Sequence, residues 1–259
     1  MLLSILTGEG PIELKLIFAG FILVAVVVSL SFHEFAHAFT AHLMGDDTAR
    51  NLGRMTLNPF AHLDLYGFLL LLVAGFGWAK PVPVNTRNFR KFKLGEFIVS
   101  SAGIFTNLVL AFISAIAICV ILLISFGKEV FPMGVALLGA EQGGLDLGYT
   151  LVVYEMAVEG YLMIFFYLLG IINCSLAIFN LIPLYPLDGY RLFELFFGRL
   201  LGSRVISWLH NYGHYILYGF LILSAVLSNT LGFSPVSAAA NWLFSQFSTG
   251  AGKLIGLFV

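Results

Sequence analysis

An apolar run from about Leu16 to Met44 carries, near its end, the string His33-Glu34-Phe35-Ala36-His37. The run is longer than the roughly 20 residues that a membrane-crossing helix needs. In lipid each backbone N–H and C=O must be paired within the protein, and a helix pairs them inside one segment. The run is therefore expected to be helical. On a helix, positions i and i+4 share a face, so His33 and His37 can hold one metal together. Glu34 falls beside them, placed to take a proton from water that the metal polarises. Ionisable residues in an apolar helix are costly and mark function by default. The plainer alternative is a pair of interfacial histidines that end a span.

H-E-x-x-H on a helix is the arrangement by which zinc peptidases hold their metal. The composition gives it a membrane setting. The chain has 259 residues, of which 59% are hydrophobic and only 10% charged. That is the balance of an integral membrane protein rather than of a soluble domain with a large core. A net charge of −1 argues against a nucleic-acid partner, which would need a basic surface. The first 30 residues do not read as a cleaved leader, since they lack a basic start and contain the motif helix. Cys119 and Cys174 both fall in apolar spans and read as packing residues. No internal repeat and no appended soluble domain is evident.

Further spans are expected at residues 97–126, 160–179 and 205–228. Gly45 and the pair Asp46-Asp47 close the first one. His37 would then lie roughly 12 Å back from the helix end, inside the bilayer but close to one face. Residues 51–58 read as extended chain or a hairpin. Residues 65–78 are apolar but too short to span, which suits a re-entrant segment. In Lys80-Pro81-Val82-Pro83-Val84-Asn85 the prolines blank one edge of an extended chain and leave the N–H groups of Val82 and Val84 on the other. Such an edge can dock an extended peptide; a Pro-stiffened loop is the plainer reading.

Residues 127–148 read as a loop. Asn107, in a span rich in small residues, is either packing glue or an active-site donor. Asn180 to Gly189 contains Pro183 and Pro186, which break the third span. An acidic side chain at such a break can face an internal cavity, and Asp188 is the expected third metal ligand. The alternative is a solvated Asp at a helix end. His210 and His214 are also four apart but have no acidic residue between them. A second metal site is one reading of them, and interfacial or pore-facing histidines are the plainer one. Residues 236–247 are amphipathic.

Basic residues of short loops mark the cytoplasmic side. Arg50, Arg54, Lys80, Arg87, Arg90, Lys91 and Lys93 stay on one side only if residues 65–78 enter and leave by the same face. Arg191, Arg199 and Arg204 then join them, and Lys15, Lys128 and Lys253 fall outside. This arrangement also brings the ends of both motif-bearing helices to one face.

With these residues in view, the chain resembles the site-2 protease family of intramembrane zinc metalloproteases, in its compact prokaryotic branch without a PDZ domain. The resemblance covers roughly residues 30–190. It rests on His33 to His37, the run Gly77-Trp78-Ala79-Lys80-Pro81-Val82-Pro83-Val84-Asn85, Asn107, and Asn180 to Gly189. It implies His33, His37 and Asp188 as ligands of one Zn2+ per chain and Glu34 as catalytic base. It also implies an ordered hairpin before the basic cluster. Ile104 stands where the family often has Pro, and Tyr190 where a second Gly is common.

The expected fold is all-α and polytopic, with about four to six transmembrane helices and a re-entrant β-hairpin-like segment after the first motif helix. A single intramembrane metalloprotease domain would cover residues 1–259, with a catalytic core at about 14–200 and a C-terminal span and amphipathic tail at 205–259. The expected activity is hydrolysis of peptide bonds in or near transmembrane segments of membrane-protein substrates, with Asn107 or Asn180 donating to the oxyanion. The bilayer and a transmembrane substrate are the expected partners. The expected location is a prokaryotic plasma membrane, with the active site near its cytoplasmic face. A metal or proton transporter is one rival reading, and a non-catalytic relative that binds transmembrane segments is the other.

Overall fold

The computed structural model describes residues 11–74, 77–138, 157–231 and 234–258. Its elements are α1 (Ile12–Met44), α2 (Thr48–Asn51), α3 (Leu65–Ala74), α4 (Phe92–Leu138), α5 (Ala157–Leu181), α6 (Asp188–Leu231) and α7 (Pro235–Gly256). Two short 3-10 turns, Pro59–Ala61 and Thr86–Asn88, complete the described order. Among the described residues, Ile12–Met44, Phe92–Leu138 and Val158–Leu181 are long and apolar enough to cross a membrane. The expected span at 205–228 is helical within α6, but His210, Asn211 and His214 dilute its apolar character. Large apolar side chains lie exposed along the long helices, including Leu16, Val24 and Phe39 on α1 and Phe105, Ile113 and Ile124 on α4. Contiguous exposed apolar surface of this kind needs lipid to cover it. The chain is an integral membrane protein.

The chain divides into two compact units, with the boundary at Thr106/Asn107 inside α4. In the first unit, α1 buries Ile22, Val26, Ser29, His33, His37 and Ala41, a stripe at three- and four-residue spacing. The same spacing turns the two histidines inward. Ser29 and Ser31 return their hydroxyls to the carbonyls of Ala25 and Val27, at 2.6 and 2.7 Å. Their donors are thus paired without water. The helix stops at Gly45, whose φ of 109° is left-handed. Gly45 N–H donates to His42 O at 3.0 Å and Asp46 N–H to Ala41 O at 2.9 Å.

Residues 51–58 form no hairpin; they run as turns and bends between α2 and the 3-10 turn at Pro59. Asn58 caps that turn through a bond from Phe60 N–H at 3.1 Å. The chain on either side of α3 is joined by an antiparallel bridge between Leu63 and Ala79, and Lys80 N–H donates to His62 O at 2.8 Å. The segment entering α3 and the segment leaving it are therefore neighbours. This bridge is the one pairing of strand type among the described residues, so the expected β-hairpin is reduced to a single rung.

In the second unit, Ala111, Ala115, Ile118, Cys119 and Leu122 of α4 share a core with Met163, Tyr167 and Cys174 of α5 and Ala240, Phe244 and Ala251 of α7. Both cysteines are free and buried, as packing residues are. A Cβ on Gly170 would stand 2.1 Å from the Phe244 ring, so this glycine admits the ring between α5 and α7. The amphipathic stretch expected at 236–247 is the first half of α7. The loop expected at 127–148 is helical as far as Leu138, beyond a break at Gly127 (φ 72°, ψ −179°). The rest of that expected loop lies outside the described residues. A similar break at Gly202 (φ 78°, ψ 161°) divides α6.

Candidate metal centre

The Nε2 atoms of His33 and His37 are 3.0 Å apart, with the rings edge to face. Two imidazole nitrogens bound tetrahedrally at about 2.0–2.1 Å stand roughly 3.3 Å from each other. The observed pair needs only a slight widening to accept such an ion. His37 Nδ1 lies 2.7 Å from the carbonyl oxygen of Val99 on α4. A carbonyl can only accept, so Nδ1 carries the proton and Nε2 carries the lone pair that a metal would use. An outer hydrogen bond of this kind is how proteins fix the tautomer and orientation of a ligating histidine.

One turn beyond Val99, a Cβ on Gly103 would fall 2.3 Å from Cε1 of His33 and 2.6 Å from each ring nitrogen. Only a residue without a side chain lets α4 approach the His33 ring this closely. Glu34 is buried on the same face and accepts a hydrogen bond from Val82 N–H at 2.8 Å. The Val82 N–H, expected to stand open on an edge, is instead committed to this carboxylate. Residues 80–85 form no helix or strand, and the one hydrogen bond that Val82 N–H can give runs to a side chain.

Asp46 anchors this piece to the end of α1. Its carboxylate accepts from Asn85 N–H, from Asn88 Nδ2–H and from the Thr48 backbone and hydroxyl, at 2.7, 2.7, 3.2 and 2.5 Å. Burial pushes the Asp46 carboxyl up, but the bonds from Thr48, Asn85 and Asn88 outweigh it and hold its pKa below the usual carboxylate value. Arg54 closes the other end through bonds to Lys80 O at 2.7 Å and Pro81 O at 3.3 Å. Sequence reasoning found the histidines and Glu34 but missed Val99, Asp46 and the partner of Gly103.

Val84 packs beside Ala41, Phe89 and Val99, and the remaining expected site residues, Asn107, Asn180 and Asp188, belong to the second unit. Asp188 is the first residue of α6, directly after the break in the chain. A Cβ on Gly189 would lie 2.4 Å from Leu181 O, so the turn closes tightly enough to require glycine beside Asp188. Tyr185, inside this turn, stacks on His210 at a centroid distance of 4.3 Å, and Tyr190 packs on both. His214 lies against Tyr215 and Tyr218. His210 is exposed and His214 half-buried beside these rings. Asn107 is fully buried with neither amide atom hydrogen-bonded, whereas Asn180 Nδ2–H is returned to Leu176 O at 3.0 Å. Asn107 is thus the asparagine with unspent bonding capacity.

An inward-facing H-E-x-x-H pair on a membrane-type helix, with its tautomer fixed from a second helix, defines a metallopeptidase-like centre. The chain belongs to peptidase family M50, whose profile matches residues 21–224. Over 174 residues it is 42% identical to YwhC of Bacillus subtilis (strain 168), named as a presumed zinc metalloprotease; the match covers 67% of this chain and 68% of that one. Over 176 residues it is 30% identical to Rip2 of Mycolicibacterium smegmatis (strain ATCC 700084 / mc(2)155), similarly named, and covers 65% of this chain and 54% of that one. The chain thus spans about half the length of the second relative. No solved structure was found to match it.

Proposed function

We propose that the protein is an intramembrane zinc metalloprotease that cuts peptide bonds in or near transmembrane segments of membrane proteins. The observation that carries this reading is the pair His33 and His37, inward on an apolar helix and held by Val99, with Glu34 beside it. Family membership supports it. Asp188 serves as the third ligand, presented by the tight turn at Gly189. Zinc bound there supplies a Lewis acid and lowers the pKa of water toward ~7. Glu34 accepts the proton of the attacking water and passes it to the leaving nitrogen. The unspent amide of Asn107 suits an oxyanion donor; Asn180, bonded to its own helix, suits that role less well.

A helical substrate has its carbonyls occupied and must unwind before attack. Val84 and the residues around it offer the unwound chain an edge. The bridge Leu63–Ala79 supports a re-entrant path for α3, with the basic residues of 50–93 together on the cytoplasmic face. The full reading is one catalytic domain with four or more spans, in a prokaryotic plasma membrane. A transporter would need polar groups in series across the membrane and would have no use for Glu34.

The test is metal analysis of the purified protein combined with cleavage of a synthetic transmembrane peptide. One zinc per chain and chelator-sensitive cleavage are expected. Full zinc retention after His33, His37 and Asp188 are all changed to Ala would overturn the ligand assignment.

A further inference from the structure

Val82 stands between two prolines. Neither Pro81 nor Pro83 carries an N–H, so Val82 holds the one main-chain donor of the tripeptide, and that donor lies 2.8 Å from Oε2 of Glu34. The rings of the two prolines fix φ on both sides, which limits how far the Val82 peptide plane can swing. The flanks are tied as well. Lys80 N–H is held by His62 O and Lys80 O by Arg54, while Asn85 and Asn88 both bond to Asp46. The Val82 side chain packs with Ala38, Ala49 and Met55. A short segment is thus held at both ends and in the middle, and its single N–H is aimed at a buried carboxylate.

We propose that Val82 is a positioning residue for the proton transfer, its main-chain N–H fixing one oxygen of Glu34 so that the other is aimed at the attacking water. This rests on the reading of Glu34 as general base. A glutamate has several staggered conformers, and a charge-assisted bond from a rigid donor selects one of them. The prolines add selectivity, because no neighbouring N–H competes for the carboxylate. A donor committed to Glu34 is also not offered to a substrate carbonyl, so this N–H acts on the catalytic base rather than on substrate affinity.

The experiment replaces Val82 in the full-length protein by the corresponding α-hydroxy acid, which turns its amide into an ester without an N–H and keeps the side chain. Valine inserted at position 82 by the same route, which keeps the N–H, is the control. Both are assayed with a synthetic transmembrane peptide that the wild type cleaves, and bound zinc is measured. Loss of an outer-sphere hydrogen bond predicts a kcat lower by about 10–100-fold for the ester. KM stays within about twofold and zinc stays stoichiometric. Hydrogen exchange at the Val82 amide is an independent readout, expected to be slow in the wild type and fast in Glu34→Ala. An unchanged kcat overturns the proposal. So does a rise in KM at constant kcat, which would assign the N–H to substrate. Rapid exchange in the wild type overturns it too. A wild type that binds no zinc and cleaves nothing would instead sink the reading of the site, and the exchange data would still judge the contact.

Discussion

A Cβ added at Gly103 would stand 2.3 Å from the imidazole of His33, so the fourth helix touches that ring through a position that has no side chain. Gly103→Val must push that ring off the direction it shares with His37. Zinc affinity is expected to fall by about 10–100-fold, as when a group that orients a ligand is disturbed. Gly20→Ala on α1 is the control, since nothing lies within 4 Å of its would-be Cβ. The measurement is zinc titration of both variants. Equal affinities would show that the close approach does not matter for the metal.

Gly189 makes a comparable demand on the turn that presents Asp188. Its would-be Cβ meets main-chain atoms of Leu181 and Ile182 at 2.4 to 2.6 Å, and backbone cannot yield as a side-chain tip can. Gly189→Ala is expected to cost about 1–3 kcal/mol of stability, the usual cost of overpacking. Zinc should weaken with it while α1 is unaffected. Denaturant unfolding of the two proteins, compared with zinc retention, checks both parts.

Asp46 gives the structure a sign for its pH dependence. Its folded pKa lies below the ordinary carboxylate value, so the stability it contributes is fully present above about pH 4, near the unfolded pKa. That contribution is lost as pH falls through the lower folded value. Hydrogen exchange of the Asn85 amide should accelerate as pH falls below about 4 once the intrinsic pH effect is removed. Asp46→Asn should remove that acid-induced step and expose the same amide at neutral pH. Identical protection in the two proteins at pH 7 would remove Asp46 as the anchor.

The sequence announces its long helices because lipid imposes length and apolarity on them, and it announces His33, Glu34 and His37 because helical spacing alone puts them together. Gly45 was legible as the end of α1 for the same local reason. The supports of the site were not. Val99 acts through its carbonyl, a group every residue has, and only the packing of α4 on α1 selects it. Gly103 reads as one small residue among several until its neighbour is known. Pro81 and Pro83 did reveal a one-sided row of donors, but the nearest acceptor was a side chain 48 positions earlier. Helix continuing past Gly127 was missed because glycine usually stops a helix, whereas here the break is a single residue in the left-handed region.

Glu34→Gln tests the central claim most directly, because Gln keeps the shape and the acceptor for Val82 N–H but cannot take a proton. Zinc content and cleavage of a transmembrane peptide are measured on the wild type and the variant side by side. The account predicts one zinc in each and a loss of cleavage of at least about 100-fold in the variant. Cleavage at the wild-type rate by Glu34→Gln, with contaminating protease excluded, would contradict it.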